Sequence, residues 1–271
     1  MVLEQIRQEY AGKALSEWER LHSTPITRIE YLITRHCLDR YLPSKGLILD
    51  AGSGPGRYAI DLARQGHRVV AFDLVREMLE LADVRLVKAE INTQATSLVE
   101  GDISDLPYAN DMFDSVISLG SPLSHITDSQ RRFSAVAEMA RVVKPGGMIL
   151  LTGLTRLGGY RSCVYWLCWS MLDQRLDAEK RPSGIVRGSH TWYTFATNEL
   201  EGLVQSVGLE IIDRVGCAGL AAHLPMDHLE QLETDPKRGP LWQKLLVETC
   251  NEPTIIGASN HLLVVSRKTA A

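Results

Sequence analysis

Gly46-Leu47-Ile48-Leu49-Asp50-Ala51-Gly52-Ser53-Gly54-Pro55-Gly56-Arg57 decides how this chain folds. The apolar run that ends at Asp50 is short and closed by glycines, the pattern of a strand buried on both faces. Tyr58 to Gln65 then reads as a helix that Gly66 stops. Between them, glycines let the backbone turn tightly and bring its N–H groups against a ligand at the helix N-terminus. A dinucleotide fingerprint would read G-x-G-x-x-G. Gly52 and Gly54 fit it, but Arg57 holds the third position and Gly56 comes one residue early. Taken alone, the loop also suits a purely structural turn.

Working outward, strands and helices alternate on short loops. Arg68 to Asp73 reads as a strand, Val75 to Val87 as a helix, and Ser97–Glu100 and Phe113–Leu119 as strands. Asp128 to Val143 reads as a helix with Phe133, Val136, Ala140 and Val143 on its apolar face. Thr127 to Gln130 resembles a capping box at its start. Pro145-Gly146-Gly147 leads into a strand at Met148–Thr152. This alternation predicts an α/β fold with a parallel, doubly wound sheet. Upstream, apolar residues at helical spacing predict two helices separated at Pro25. From Gly153 to Thr191 the alternation lapses into a segment expected to be helical. A helix (198–207), a strand (209–215), a helical stretch (229–248) and a strand (261–266) follow. The expected division is an N-terminal helical lid segment (1–45), a ligand-binding core (46–153), a helical insert forming a substrate cap (154–192) and the remainder of the α/β core (193–271).

The bulk properties narrow the function. With 271 residues, 45% of them hydrophobic, the chain can bury a full core. A formal net charge of -4 gives no general pull toward a phosphate backbone, so no nucleic-acid partner is expected. No apolar run is long enough to span a bilayer, and the N-terminus has no signal core, which predicts a cytoplasmic protein without membrane contact. The five cysteines are scattered without a C-x-x-C pair, and His223, Asp227 and His228 match no standard metal spacing, so no metal is expected. Oligomeric state is not legible.

Two further acidic positions follow the loop. Asp73, at the tip of the second strand, can accept hydrogen bonds from both ribose hydroxyls of an adenosine group, or cap the next helix, or both. Asp102, in Gly101-Asp102-Ile103, is placed to accept from an exocyclic adenine amine, or is a solvated turn aspartate. In this order, the residues resemble the class I S-adenosylmethionine-dependent methyltransferases over about Gly46 to Thr152, with a weaker continuation to Lys268. Arg141-Val142-Val143-Lys144-Pro145-Gly146-Gly147 is similar to that family's segment before the fifth strand. Among its members the chain most resembles the small-molecule enzymes of the ubiquinone-biosynthesis and related bacterial groups.

The resemblance implies a Rossmann-like sheet of about seven strands, the last antiparallel, with S-adenosylmethionine as cofactor. It implies a cofactor site built from Asp50, Gly52, Ser53, Gly54, Gly56, Asp73, Leu74, Met78, Asp102, Ile103, Leu119 and Gly120, with Arg28 and Arg57 as candidate partners of the methionine carboxylate. The activity implied is methyl transfer to a small-molecule acceptor by in-line displacement, which mainly needs alignment and exclusion of water. His125, after the fourth strand, is the candidate general base, or a packing histidine. Tyr10, Trp18, Tyr160, Tyr165 and His190 are candidate acceptor contacts, or aromatics that fasten the appendages to the core. Neither an Asn/Asp-Pro-Pro-Tyr run nor a Pro-Cys nucleophile follows the fourth strand, which disfavours DNA-adenine, protein-glutamine and cytosine acceptors. A methyltransferase of RNA or protein, a non-catalytic cofactor-binding module and, by different chemistry, a nicotinamide dehydrogenase are the alternatives.

Overall fold

In the computed structural model of the chain, which describes residues 2–92, 95–165, 168–177, 184–187, 191–196 and 198–269, the glycine-rich stretch does connect a strand to a helix. β1 (Leu47–Ala51) runs into α4 (Arg57–Arg64), preceded by three helices: α1 (Val2–Ala11), α2 (Ala14–Ser23) and α3 (Pro25–Tyr41). β2 (Arg68–Asp73), α5 (Arg76–Lys88), β3 (Thr96–Glu100), β4 (Phe113–Ser118), α6 (Ser129–Val142) and β5 (Val143–Leu154) follow. After α7 (Arg156–Tyr165), α8 (Trp169–Leu176) and a hairpin of β6 (Ile185–Arg187) and β7 (Thr191–Tyr193), α9 (Glu199–Ser206) leads to β8 (Leu209–Gly216). Then come α10 (Met226–Thr234), α11 (Arg238–Thr249), α12 (Pro253–Ala258) and β9 (His261–Lys268).

The main sheet has seven strands in the order β3-β2-β1-β4-β5-β9-β8. Its pairings are parallel from β3 to β5, whereas β9 lies antiparallel to both β5 and β8. The expected doubly wound sheet with an antiparallel last strand is what the chain forms. Ile48 and Leu49 show why β1 reads as continuous apolar sequence. Consecutive side chains point to opposite faces, and each face is covered. Leu49 joins Phe72, Val116 and Leu151 on one side, under α6 and α9. Ile48 joins Ala71, Ile117, Leu150 and Leu263 on the other, where α3 packs through Ile29, Ile33 and Leu38.

Several boundaries differ from the sequence expectation, each for a local reason. Pro25 starts a helix: it occupies the first turn of α3, and Thr24 and Thr27 form a reciprocal capping box there. The first helix instead ends at Ala11, so three helices stand where two were expected. At α6 the cap is Asp128, whose carboxylate accepts from Arg131 N–H at 2.8 Å. Phe133 is 41% exposed, and Arg132 takes the buried position instead. Its guanidinium satisfies itself by donating to the carbonyls of Ile126 and Thr127 and lies 3.5 Å from the centre of the Tyr193 ring. The stretch 229–248 divides because the Asp235 carboxylate accepts from the N–H groups of Lys237 and Arg238 and starts α11. The insert after β5 is not wholly helical, since it contains the β6–β7 hairpin. No helix among the described residues is long and apolar enough to cross a membrane.

Candidate functional site

In a doubly wound sheet the strand order reverses between β1 and β4, and the crevice outside the carboxyl ends of those strands is where ligands bind. A pocket opens there, beneath α1 and α2. Asp50, Gly52, Ser53, Gly54, Arg57, Asp73, Leu74, Met78, Asp102, Ile103, Leu119, Gly120 and His125 all line it, as does Tyr10 from the N-terminal segment.

Asp73 organises this pocket. Its side chain is buried, with Oδ2 accepting from Gly54 N–H at 2.7 Å and Oδ1 from Val75 N–H at 2.9 Å. One carboxylate thus ties the glycine loop to the start of α5 and still has a second lone pair on each oxygen. Burial pushes it up to about 6, against the pull of those backbone N–H groups. Asp50 is also buried, and its Oδ2 has no hydrogen-bond partner. Burial, and then the neighbouring charge of Asp73, raise Asp50 to about 8. An orphaned, buried carboxylate oxygen facing a pocket is costly and calls for a donor from outside the chain.

The glycine loop works differently from the sequence expectation. Gly52 and Ser53 donate their N–H groups to the Phe72 carbonyl, and Gly54 donates to Asp73. These amides are therefore not directed at a ligand; the loop offers room. Nothing lies within 4 Å of where a Cβ would stand on Gly54. At Gly52, φ is +83° and a Cβ would fall 2.5 Å from Pro122 Cγ. Gly52→Ala should therefore lose about 2–3 kcal/mol of stability, read by urea unfolding. A change within about 0.5 kcal/mol would mean that the loop relaxes without cost. Gly56, expected among the ligand contacts, does not line the pocket. Its φ of +79° begins α4, and a Cβ would meet Ala82 of α5 at 2.9 Å, so this extra glycine permits helix packing.

Asp102 is not a merely solvated aspartate. It forms an ion pair with Arg131 from α6 and accepts from the Ser104 N–H (3.1 Å) and hydroxyl (2.6 Å). On the opposite wall, the Tyr10 hydroxyl lies 3.3 Å from His125 Nε2, with the rings edge to face at 5.1 Å. Burial first, then Glu17 and Glu9, push the Tyr10 phenol up, so it stays protonated.

The arginines are sorted by partners that no local pattern reveals. Arg28 is bound by Glu233 at 2.6 Å and lies outside the pocket. Arg57 lines the pocket, but its Nη2 donates to the Trp18 carbonyl at 2.7 Å and its guanidinium covers the indole at 3.6 Å. Trp18 is also approached by Arg85, at 4.6 Å, and does not line the pocket. The cation the sequence reading missed is Arg20. It lines the pocket, its side chain is 29% exposed, and Nη1 lies 3.2 Å from both oxygens of Glu30. Its only local signal was a helical i,i+3 partner, Glu17. Tyr160 lies on α7 and does not line this pocket. Tyr165 ends α7 with a side chain outside the described residues, and His190 lies outside them altogether.

Comparison with known proteins accords with this geometry. Residues 48–147 match the protein family described as "Methyltransferase domain". A ubiquinone biosynthesis O-methyltransferase of Dinoroseobacter shibae is 30% identical over 213 residues, covering 74% of this chain and 78% of the relative. A tRNA (carboxymethyluridine(34)-5-O)-methyltransferase of Arabidopsis thaliana is 32% identical over 111 residues, covering 41% of this chain but 24% of that protein. Among solved structures, the Burkholderia thailandensis 1,6-didemethyltoxoflavin-N1-methyltransferase, with 1,6-didemethyltoxoflavin and S-adenosylhomocysteine bound, shares the fold with a TM-score of 0.59 at 16% identity. That likeness covers 98% of this chain and 88% of the other.

Proposed function

This chain belongs to the class I S-adenosylmethionine-dependent methyltransferases, and from that premise we propose that it methylates a small-molecule acceptor, with a hydroxyl as the group that receives the methyl. Its cofactor is S-adenosylmethionine. The observation that carries the site assignment is the pair of buried carboxylates at the tips of β1 and β2, one tying down the glycine loop and one with an orphaned oxygen. Both fit the group, because it brings two ribose hydroxyls and an ammonium, all donors.

Asp73 accepts from the ribose hydroxyls, and Asp102 with Ile103 borders the adenine. Leu74, Met78 and Leu119 supply the apolar walls. Asp50 takes the ammonium, and Arg20, rather than Arg28 or Arg57, takes the carboxylate. Tyr10 and His125 hold α1 over the pocket and exclude water. When bound, the cofactor supplies a methyl group on a sulfonium, whose departing thioether needs no acid. The residues therefore have to align the acceptor oxygen and remove its proton. The choice of a small hydroxylated acceptor rests on the relative with 78% coverage, which is an O-methyltransferase, and on the net negative charge, which gives no general attraction for nucleic acid.

The direct test is calorimetric titration with S-adenosylmethionine and S-adenosylhomocysteine, followed by a methyl-transfer screen over small phenols and catechols. Micromolar binding with turnover on one of them is expected. Binding without turnover on any small acceptor, but with turnover on RNA, would replace the acceptor assignment.

The raised carboxylates give a pH signature. The ribose hydroxyls donate, so they select ionised Asp73. Because Asp50 must lose its proton as well, affinity for S-adenosylhomocysteine should rise by close to tenfold per unit up to about pH 8 and fall more steeply than that below about pH 6, where Asp73 also takes up a proton. Asp50, raised to about 8 in the free protein, is mostly protonated at pH 7 and ionises against the ammonium. Binding should therefore release close to one proton, seen as an enthalpy that varies with the buffer. A buffer-independent enthalpy would remove Asp50 from the ammonium contact.

A further inference from the structure

A second cavity, of about 490 Å³, opens between the start of α7, α9, α12 and the outermost strand, β8. None of its lining residues lines the cofactor pocket. Phe195, Ile256 and Leu262 give it an apolar wall, continuous with the core under α9. Sites for small ligands combine such a wall with a few polar groups that fix orientation. Here those groups are charged.

Four charged residues line the cavity: Arg156, Glu201, Asp213 and Arg214. Two carry each sign, so the lining is neutral. Asp213 is already satisfied, since it accepts from the Tyr41 hydroxyl and from the Arg214 N–H at 2.8 Å. Arg214 has a side chain that is 45% exposed and keeps its water.

The other two are held loosely. Glu201 is only 5% exposed, yet its Oε2 has no partner. Arg214 Nε stands 3.6 Å from Oε1, too far for a hydrogen bond. A carboxylate taken out of water without hydrogen bonds is costly. Arg156 is buried beside it in the same way. Its Nε has no partner, and Nη2 reaches the Thr194 carbonyl at 3.3 Å and Glu199 Oε2 at 3.6 Å. Glu199 is engaged elsewhere, because it accepts from the Tyr193 hydroxyl and from the Ala196 N–H at 2.7 Å. No ion pair joins Arg156 to Glu201 among the described residues, although both line one cavity.

This pattern selects a ligand. A lone cation would meet Glu201 but leave Arg156 facing it, and a lone anion would do the reverse. A neutral amide would offer a donor and an acceptor, but charge-assisted hydrogen bonds are about twice as strong. A zwitterion satisfies both residues and keeps the neutral lining neutral. The apolar wall at Phe195, Ile256 and Leu262 then suits an uncharged, bulky side chain between them.

We propose that this cavity binds a free α-amino acid with an apolar side chain, its ammonium on Glu201 and its carboxylate on Arg156. The site is separate from the cofactor pocket and does not depend on which acceptor is methylated.

The experiment titrates L-phenylalanine, L-phenylalaninamide and N-acetyl-L-phenylalanine into the full chain by calorimetry, with and without saturating S-adenosylhomocysteine. L-Phenylalanine should bind with a Kd below about 1 mM in both conditions. The amide lacks the carboxylate and the N-acetyl derivative lacks the ammonium, so each should bind about tenfold more weakly or worse. Glu201→Gln and Arg156→Met should weaken L-phenylalanine by a similar factor and bind S-adenosylhomocysteine as wild type does. Glu201→Gln should also lose the discrimination against the N-acetyl derivative, with the two Kd values within about threefold. Arg156→Met should lose that against the amide. A general loosening of the fold would not separate the two derivatives in this way.

Wild type that binds no L-phenylalanine, or binds all three compounds alike, would overturn the proposal. Binding that saturating S-adenosylhomocysteine abolishes would overturn it too, because the amino acid would then sit in the cofactor pocket. Wild type that binds L-phenylalanine with this discrimination but no S-adenosylhomocysteine would support this site and overturn the assigned cofactor pocket.

Discussion

Alanine at Asp73 should abolish measurable binding of S-adenosylmethionine while leaving a folded protein. Two hydrogen bonds from ribose hydroxyls to a buried carboxylate contribute about 1.5–3 kcal/mol each. Their joint loss corresponds to roughly 100-fold to 20,000-fold in Kd. Stability should change far less, because two effects oppose. The substitution leaves the N–H groups of Gly54 and Val75 without their acceptor, which destabilises. It also removes a buried acid whose value in the fold is raised to about 6. The unfolded chain holds that acid at an ordinary, lower value. The fold therefore carries a penalty that grows as pH rises through the interval between the two and is fully present at pH 7. Relief of that penalty offsets the two unpaired amides, so the Tm should move by only a few degrees. Calorimetry and a thermal scan on the same preparation decide the matter. Retention of binding within about tenfold would mean that the ribose is held elsewhere. A collapse of the Tm would mean that Asp73 serves the fold before it serves the ligand.

Asp73 also marks what a sequence can disclose. The strand–loop–helix around Gly52, the acidic tips at Asp50, Asp73 and Asp102, and the parallel alternation are all local. Each depends on residues close together in the chain, so periodicity and spacing carry them. What the loop amides do is not local. They bond to the Phe72 carbonyl and the Asp73 carboxylate, some twenty residues away. The choice among arginines is not local either. Arg28 and Arg20 both lie near aromatic helices, but Glu233 claims the first, whereas Glu30 turns the second toward the pocket. Trp18 had the composition of a ligand contact, yet the guanidinium groups of Arg57 and Arg85 occupy its ring.

The residue with most at stake outside the cofactor contacts is Glu30, because its burial makes sense only with its partners in place. Removing one member of a buried ion pair strands the other, at a cost of about 3–5 kcal/mol. Here the stranded Arg20 keeps 29% exposure and a second carboxylate, Glu17, at 3.4 Å. The expected loss for Glu30→Ala is therefore nearer 2–3 kcal/mol, a fall of roughly 5–10 °C in Tm. Arg20 should swing toward Glu17, and affinity for S-adenosylmethionine should fall with it. The cycle through Arg20→Ala separates the two consequences. With both residues replaced, no charge is stranded, so the double variant should be more stable than Glu30→Ala alone while binding cofactor no better. If the losses in stability simply add, Arg20 and Glu30 are not coupled, and the orientation of Arg20 toward the pocket does not depend on Glu30.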